Sequence, residues 1–205
     1  MITIIDYHAG NIGSIKNMLQ KLGLPSIISS FAADIEKASH IILPGVGSFD
    51  YGMTKLNELG ILSVLNEKVL KERTPVLGIC LGAQLMCSSS EEGKLSGLNW
   101  IDGSVRKFPS HKLEKKFYVP LIGWDYVSLQ KQSRLFHGLP DSRFYFVHSY
   151  YIECVEKQDV LCTSTYSVEF DSAFEKGNIL GVQFHPEKSH SFGKKLLKNF
   201  IEQYR

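Results

Sequence analysis

The sequence has no long hydrophobic run. No apolar stretch approaches the roughly 18 residues that a helix needs to cross a bilayer. The first residues, Met1 to Asp6, contain no basic segment and reach an acidic residue at the sixth position, so they lack the pattern of a signal peptide or a membrane anchor. We therefore expect a cytoplasmic protein that makes no contact with a membrane.

Cysteine is scarce and shows no spacing of a metal site. The four cysteines form no Cys-x-x-Cys pair and no zinc-ligand pattern; they are Cys80, Cys87, Cys154 and Cys162. Without a secretory signal, we expect reduced thiols, of which three serve packing. Gly10 and Gly13 do not complete a Gly-x-Gly-x-x-Gly fingerprint, so no nucleotide is expected. The sequence thus predicts neither a metal nor a cofactor.

An excess of either charge is also absent. The 23 basic and 21 acidic residues leave a net charge of +2, which provides no broad field for a nucleic acid. The basic stretch from Lys112 to Lys116 is predicted to be a solvated loop. At 205 residues, with 43% hydrophobic and 21% charged residues, the chain fits one globular domain over residues 1–205.

The order of apolar segments predicts an α/β fold. In the first half, short apolar runs alternate with helical periodicity, which is typical of a parallel sheet covered by helices. The predicted strands there are Met1 to Asp6, Pro25 to Ser29, His40 to Leu43 and Pro75 to Ile79, and the predicted helices are Ile12 to Leu22, ended by Gly23, and Met53 to Leu70. Ligands of such sheets bind outside the carboxyl ends of the strands, where Asp6, Pro44 to Phe49 and Cys80 all lie.

The second half is rich in aromatic and β-branched residues, which indicates antiparallel additions to a mixed sheet. The predicted strands are Trp100 to Phe108, Phe117 to Val127, Arg143 to Cys154, Val160 to Tyr166, Val168 to Phe174 and Ile179 to Phe184. The last two are joined by a hairpin turn at Glu175 to Asn178. A final helix, Ser189 to Tyr204, carries an apolar stripe that packs on the sheet.

Cys80 lies between two glycines where an apolar strand stops and a helical pattern begins. Glycines two residues before and two residues after it, Gly78 and Gly82, permit the cramped backbone of a nucleophile elbow. The helix that follows directs its amides and the positive end of its dipole at the sulfur, which favours the reactive thiolate. An inert buried cysteine is the competing interpretation of this segment alone.

Near the other end, His185, Pro186 and Glu187 form a base with its orienting carboxylate. An extended stretch would point His185 and Glu187 to the same side, and Pro186 favours an extended conformation in the residue before it. A thiol nucleophile needs a base, and the base needs a carboxylate to fix its tautomer. Taken alone, a His-x-Glu pattern is more typical of a surface strand.

Together, the Gly-x-Cys-x-Gly elbow and the His-Pro-Glu segment resemble the Cys-His-Glu triad of the class I glutamine amidotransferases. Other segments resemble one branch, the glutaminase subunit of imidazole glycerol phosphate synthase. They are Ile5 to Asn11, Pro44 to Phe49, Gln84 to Gly93, Val119 to Trp124 and Phe146 to Tyr150, and they span nearly the whole chain. The resemblance implies a flavodoxin-like, mainly parallel sheet flanked by helices, with antiparallel strands in the C-terminal half.

The chemistry assigns a role to each part of this site. The resemblance implies that Cys80 attacks the side-chain carbonyl of glutamine, that His185 transfers protons, and that Glu187 orients His185. The amide of Leu81 is one expected oxyanion donor, and the loop Gly45, Val46 and Gly47 is placed to provide another, although a plain turn would also fit this segment. By resemblance, the glutamine-binding residues are Gly47, Gln84, Glu92, His148, Ser149 and Tyr150; Glu91 and Glu92 would otherwise be a solvated pair.

Ammonia released into water at neutral pH would mostly become ammonium, so a biosynthetic glutaminase should dock on its acceptor enzyme. The resemblance implies that this partner is a (β/α)8-barrel cyclase, which uses the ammonia to make imidazole glycerol phosphate in histidine synthesis. Tyr145, Lys188 and Leu121 match positions at the subunit interface of that family. On sequence alone, Tyr145 and Lys188 would pass for surface residues.

Two positions depart from the family pattern. His8 stands where the family usually has glycine, and Leu121 stands where it usually has histidine. A divergent paralog that supplies ammonia to a surface-sugar amidating synthase is therefore a second hypothesis. A non-catalytic regulatory module is disfavoured by the complete triad. A free-standing cysteine hydrolase is disfavoured by the glutamine-pocket and interface residues.

Overall fold

The computed structural model describes residues 1–109 and 118–204. These residues form thirteen strands: β1 (Ile2–Ile5), β2 (Ser26–Ser29), β3 (His40–Leu43), β4 (Val76–Ile79), β5 (Ser89–Ser90), β6 (Gly103–Lys107), β7 (Leu121–Tyr126), β8 (Ser128–Leu129), β9 (Arg143–His148), β10 (Tyr150–Cys154), β11 (Val160–Tyr166), β12 (Val168–Lys176) and β13 (Ile179–Val182). The predicted basic loop from Lys112 to Lys116, and Phe117, lie outside the described residues.

Six α-helices accompany the strands in this part of the chain. They are α1 (Ile12–Lys21), α2 (Ala32–Glu36), α3 (Phe49–Glu58), α4 (Leu62–Asn66), α5 (Leu81–Leu85) and α6 (His190–Gln203). A π-helical turn, Glu67–Lys71, continues α4, and two 3-10 turns occur at Lys157–Asp159 and Pro186–Lys188. No described helix is long and apolar enough to cross a membrane.

The main sheet has eleven strands and combines a parallel and an antiparallel half. Five strands in the order β2-β1-β3-β4-β13 are all parallel to their neighbours. From β13 the sheet continues through β12, β10 and β6, each antiparallel to the strand before it, and β11 also pairs antiparallel with β12. This arrangement confirms the predicted mixed α/β fold.

The core lies on both faces of the parallel strands. In β1, β3, β4 and β13 every residue is buried, so neighbours in sequence enter different apolar clusters: Ile42 belongs to one cluster, and Ile41 and Leu43 to the other. The first cluster is covered by α1 and α6, and the second by α3, α4 and α5. Burial of both faces explains why these strands have continuous apolar sequences instead of alternating ones.

A separate two-stranded sheet, β7 paired antiparallel with β9, stands beside the main sheet. The predicted strand from Arg143 to Cys154 is therefore wrong as one element. The chain breaks at Ser149, so β9 pairs with β7 and β10 enters the main sheet between β12 and β6. This break places residues 148–150 at the junction of the two sheets.

The predicted helix from Met53 to Leu70 is also wrong as one element. The structure has α3, a turn at residues 59–61, and then α4 with its π-helical extension. Gly60 has a φ of +65°, a left-handed conformation that ends α3. The remaining predicted elements are confirmed with end shifts of a few residues, including the final helix and the hairpin turn at residues 177–178.

Candidate active site

Cys80 forms the predicted elbow between β4 and α5. Its backbone has φ +52° and ψ −110°, a region that side-chain-bearing residues rarely adopt. The turn is so tight that a Cβ on Gly82 would collide with the backbone carbonyl of Leu43. The Cys80 amide donates to the carbonyl of Val182 at 2.8 Å, which fixes the elbow against β13. The helix that follows is short, only five residues.

His185 and Glu187 form a buried pair. Nδ1 of His185 donates to Oε1 of Glu187 at 2.7 Å, and the two side chains are 1% and 2% exposed. The predicted pairing is present, but its geometric reason was wrong. His185 is extended, as Pro186 requires, whereas residues 186–188 form a 3-10 turn that brings Glu187 back to the ring.

The backbone of His185 is held from two sides. Its amide donates to the carbonyl of Tyr145 at 2.9 Å, and its carbonyl accepts a 2.6 Å hydrogen bond from Oγ of Ser189. The same hydroxyl accepts a hydrogen bond from the amide of Tyr145 at 3.0 Å. Ser189, which the sequence did not single out, thus ties the turn that carries His185 to β9.

The electrostatics of His185 point to a charged imidazolium. Burial opposes protonation of the ring, but its interactions with Cys80 and with Glu187 outweigh burial and raise its pKa to about 10. Nε2 is buried and has no hydrogen-bond partner among the described residues. The arrangement is that of a cysteine next to an imidazolium whose Nδ1 is bound by a carboxylate.

Cys80 and most of the predicted site residues line one cavity of about 400 Å³, whereas His185, Glu187, Gly45, Leu121 and Tyr145 are not among its lining residues. Around Cys80, the lining residues from the sequence-based set are Val46, Gly47, Leu81, Gln84, Glu92, His148, Ser149, Tyr150 and Lys188, and Pro120 and Val147 complete the wall. These residues come from widely separated segments of the chain. The fold brings them together at the carboxyl ends of the parallel strands and at the junction with the two-stranded sheet.

The expected oxyanion donor at Leu81 is engaged within the chain. Its amide donates to the carbonyl of Gly45 at 3.3 Å. The loop itself is anchored at its start, where the hydroxyl of the fully buried Tyr7 donates to the carbonyl of Pro44 at 2.5 Å. Gly47 has a φ of +114°, a conformation that suits glycine. In this loop conformation the Gly45 carbonyl accepts the hydrogen bond of the Leu81 amide. The amide is therefore not free to bind an oxyanion.

Glu91 and Glu92 do not act as a solvated pair. Glu91 accepts the amide of Lys107 at 2.7 Å and pairs with Arg106, and both interactions lower its pKa despite some burial. Glu92 turns to the cavity, where Oε2 accepts the amide of Phe49 at 2.8 Å. Because Phe49 begins α3 directly after the Pro44 to Ser48 loop, Glu92 connects the pocket wall to that loop.

The carbonyl of Tyr150 organises two polar side chains of the pocket. It accepts hydrogen bonds from Nδ1 of His148 at 2.8 Å and from Nε2 of Gln84 at 3.0 Å. Burial lowers the pKa of His148 to about 4. The hydrogen bond to the Tyr150 carbonyl opposes this shift, and the nearby charge of His185 adds to it. His148 is therefore neutral at pH 7, with its proton on Nδ1 and a lone pair on the buried Nε2.

The expected interface residues separate into two groups. Lys188 lines the cavity, and its Nζ lies 5.6 Å from the centre of the Tyr145 ring. Leu121, in contrast, is 4% exposed and packs in the core, so its side chain does not belong to the exposed surface. The alternate residues of β7, Ile122, Trp124 and Tyr126, are exposed instead.

Sequence reasoning missed Gln183 as a site residue. Its side chain is fully buried and its Nε2 lies 3.7 Å from Sγ of Cys80. A polar amide in the apolar run that leads to His185 was the available signal, because a buried amide requires partners. No group of three or more His, Cys, Asp or Glu side chains that could hold a metal ion occurs in residues 1–109 and 118–204.

This geometry supports acyl transfer from an amide. A nucleophilic sulfur, a base fixed by a carboxylate, and an adjacent pocket with polar walls are the parts that such a reaction needs. The departures at His8 and Leu121 lie outside these parts. His8 has a φ of +62°, which gives a backbone reason for glycine at this position.

The chain matches the family model described as glutamine amidotransferase class-I over residues 3–204. Among relatives, it is 55% identical to imidazole glycerol phosphate synthase subunit HisH 2 of Methanococcus maripaludis over 99% of this chain and 100% of that protein. It is 46% identical to subunit HisH 2 of Pseudomonas aeruginosa over 98% and 99% of the two chains. Subunit HisH of Bdellovibrio bacteriovorus is 45% identical over 98% and 100%.

Solved structures share the fold at low sequence identity. A structure described as glutamine amidotransferase superposes with a TM-score of 0.76 at 17% identity, covering 98% of both chains. A glutamine amido transferase from Methylobacillus flagellatus gives a TM-score of 0.68 at 14% identity, covering 100% of this chain and 95% of the other. At such identities the likeness concerns the architecture alone.

Proposed function

The chain belongs to the class I glutamine amidotransferase family, and we propose that it hydrolyses L-glutamine and delivers the ammonia to a (β/α)8-barrel cyclase that makes imidazole glycerol phosphate. One observation carries the proposal. Cys80, with His185 and Glu187 behind it, opens into the same cavity as the residues expected to bind glutamine. The named relatives, 45% to 55% identical over nearly the whole chain, supply the acceptor pathway.

The reaction begins with the thiolate of Cys80, which attacks the side-chain carbonyl carbon of glutamine. The tetrahedral oxyanion collapses to a γ-glutamyl thioester as the C–N bond breaks, and His185 gives its proton to the departing ammonia. The neutral His185 then takes a proton from water, whose oxygen attacks the thioester. Glutamate leaves as the electron pair of the C–S bond returns to sulfur. Glu187 holds the ring in the required orientation throughout.

The pocket walls supply the selectivity for an amino acid. Glu92, His148, Ser149 and Tyr150 line the cavity, where the Glu92 carboxyl group and the backbone of residues 148–150 would contact the α-amino and α-carboxylate groups of glutamine. Gln84 and Gly47 complete the wall. We propose that residues 1–205 act as one domain, since the family match spans residues 3–204.

An exposed apolar face beside the cavity supports a protein partner. Ile122, Trp124 and Tyr126 project from β7 with exposures of 60%, 41% and 61%. Trp124 lies 6.3 Å from the ring of Tyr145, which itself borders Lys188. Exposed aromatic patches mark interaction sites, and ammonia that leaves next to such a face enters the partner instead of bulk water. A cytoplasmic location fits a biosynthetic complex of this kind.

Complementation of a histidine auxotroph that lacks the glutaminase subunit tests the acceptor. The chain together with its natural barrel partner should restore growth, and Cys80→Ala should fail to do so unless ammonium is supplied at high concentration. Failure of a well-expressed pair that hydrolyses glutamine would refute the histidine assignment while leaving the glutaminase intact.

A paralog that serves a surface-sugar amidating synthase is the second candidate. Two observations favour it: the departures at His8 and Leu121, and the numbered names of two relatives, each called HisH 2. Sugar-nucleotide genes next to this gene, in place of histidine-pathway genes, would select this candidate.

A further inference from the structure

Gln183 is a buried polar side chain that the mechanism above does not use. It follows β13, which pairs in parallel with β4 so that Val182 stands opposite Ile79. The next residues of the two strands, Gln183 and Cys80, therefore leave the sheet side by side. The Gln183 side chain is fully buried, and its Nε2 lies 3.7 Å from Sγ of Cys80.

A backbone carbonyl fixes the polarity of this contact. The Tyr150 carbonyl can only accept, so the amide of Gln84 must present its nitrogen to it, at 3.0 Å. The second hydrogen of the same nitrogen is directed at Gln183, 3.0 Å away, where only Oε1 can accept it. With Oε1 thus occupied, the amide of Gln183 presents its NH₂ group to the sulfur. Reversing either amide would set two donors or two acceptors against each other.

We propose that Gln183 is a catalytic hydrogen-bond donor to the sulfur of Cys80, held in the donor orientation by Gln84 and the Tyr150 carbonyl. The inference rests on the proposed role of Cys80 as the nucleophile. A donor favours the thiolate over the thiol, because only the anion gains a full charge-assisted hydrogen bond. The neighbouring Val147 carbonyl, 4.0 Å from Sγ, is an acceptor and can only bind the protonated thiol.

Gln183 complements His185 because an amide neither gains nor loses a proton in this reaction. His185 stabilises the thiolate while it is charged, but it is neutral once it has protonated the ammonia. In the second half of the reaction, the C–S bond breaks and its electron pair returns to sulfur. The Gln183 donor is present at that stage regardless of the charge of His185, so it assists both thiolate formation and thiolate departure.

The pH dependence of Cys80 alkylation by iodoacetamide, measured on the full chain by mass spectrometry of the Cys80 peptide, tests the proposal. Burial raises the pKa values of the Cys87, Cys154 and Cys162 thiols, so these cysteines react far more slowly. Gln183→Met preserves volume without a donor; it should slow alkylation at pH 7 by roughly 3- to 10-fold and move the half-maximal rate to higher pH.

Two further variants complete the test. Gln84→Met leaves Gln183 in place but removes its orienting partner, and it should shift the profile in the same direction by a smaller amount. Ser172→Ala is the matched control, because Ser172 is fully buried next to Gln183 in the sheet, its hydroxyl has no hydrogen-bond partner in the described chain, and its carbonyl accepts the Gln183 amide. Its profile should match the wild type.

The outcomes separate this inference from the proposed function. If Cys80 of the wild type is not alkylated selectively, the nucleophile assignment itself fails. If Cys80 is selectively alkylated but folded Gln183→Met has the wild-type profile, the donor role is refuted. Should Gln183→Met not fold, a wild-type profile of Gln84→Met refutes it in the same way.

Discussion

The carboxylate of Glu187 accepts a 2.7 Å hydrogen bond from Nδ1 of His185 in an environment that leaves both side chains almost without solvent contact. Such a buried pair holds its charges only while both partners are present. The turn that contains Pro186 and Ser189 shapes the contact, so the orientation of the base is a property of the backbone as much as of the carboxylate.

Replacing Glu187 by glutamine should therefore disable His185. The amide cannot stabilise the imidazolium and permits the wrong tautomer, so glutamate release by the chain with its partner should fall roughly 10³-fold or more. The pKa of His185, followed by NMR, should fall from about 10. Glu36→Gln, at an exposed position on α2, is the control and should retain full activity. Wild-type turnover in Glu187→Gln would remove Glu187 from the triad.

Removing the sulfur of Cys80 should abolish glutaminase activity, and the choice of replacement should affect stability. Cys80→Gly removes the backbone strain of a side-chain-bearing residue at φ +52°. It should therefore raise the free energy of unfolding by about 1 kcal/mol. Cys80→Ala keeps its Cβ and the strain, so it should show no such gain. Both variants should lose activity by roughly 10³-fold or more.

His8→Gly is the control for Cys80→Gly, because His8 also has a positive φ, +62°, but lies outside the triad. It should gain stability, at most about 1 kcal/mol, and keep its activity. Denaturant titration of the variants measures these differences in the free energy of unfolding. Equal stabilities of Cys80→Gly and Cys80→Ala would show that the elbow stores no strain.

The isolated chain should hydrolyse glutamine slowly. The Leu81 amide is bound to the Gly45 carbonyl, and an oxyanion hole that lacks one donor typically costs about 10²- to 10³-fold in rate. Binding of the barrel partner should raise kcat by a comparable factor, because it favours a loop conformation that frees this amide. Full turnover by the purified chain, unchanged by any partner, would instead identify a free-standing hydrolase.

Acid should destabilise the protein through His148. The folded protein holds this ring neutral down to about pH 4, whereas in the unfolded chain the ring binds a proton near its ordinary pKa of 6.5. Between these values the unfolded state binds more protons, so up to about 3 kcal/mol of stability is lost as the pH falls from 6.5 to 4. His148→Phe should remove this part of the pH dependence, as measured by chemical unfolding at several pH values.

The exposed His137 provides the control for that measurement. His137→Gln should keep the slope of the wild type between pH 6.5 and 4. If His148→Phe also keeps the wild-type slope of stability against pH, the acid sensitivity has another source and His148 is not a buried neutral ring.

The glycine after the nucleophile should be required for packing. A Cβ on Gly82 would run into the Leu43 carbonyl, a backbone atom that cannot move aside, so Gly82→Ala should lower stability by about 2 kcal/mol or more. Gly13→Ala is the opposite case within α1, where a Cβ meets open space; it should raise stability by up to about 1 kcal/mol. Thermal unfolding of both variants distinguishes them.

The chemistry of this protein and most of its secondary structure are readable in its amino-acid order. The residues around Cys80 and His185 carry local signals, because an elbow needs glycines at fixed offsets and a base needs a carboxylate within reach. The parallel strands were equally predictable, since burial on both faces demands continuous apolar runs. The mixed sheet followed from the change in composition at mid-chain.

Which polar groups face one another is settled by packing in three dimensions. The break at Ser149 exists because two sheets meet there. The inward position of Leu121 depends on which face of β7 packs against the core. A local sequence pattern contains neither piece of information. The contact of Gln183 with Cys80 arises from the parallel register of β13 with β4, across 103 residues of chain. The Leu81 amide was assigned to an oxyanion from its position alone; its hydrogen bond to Gly45 exists because a separate loop folds against the elbow. Local sequence specifies what each side chain can do, and packing specifies its partner, because partners are chosen among residues far apart in the chain.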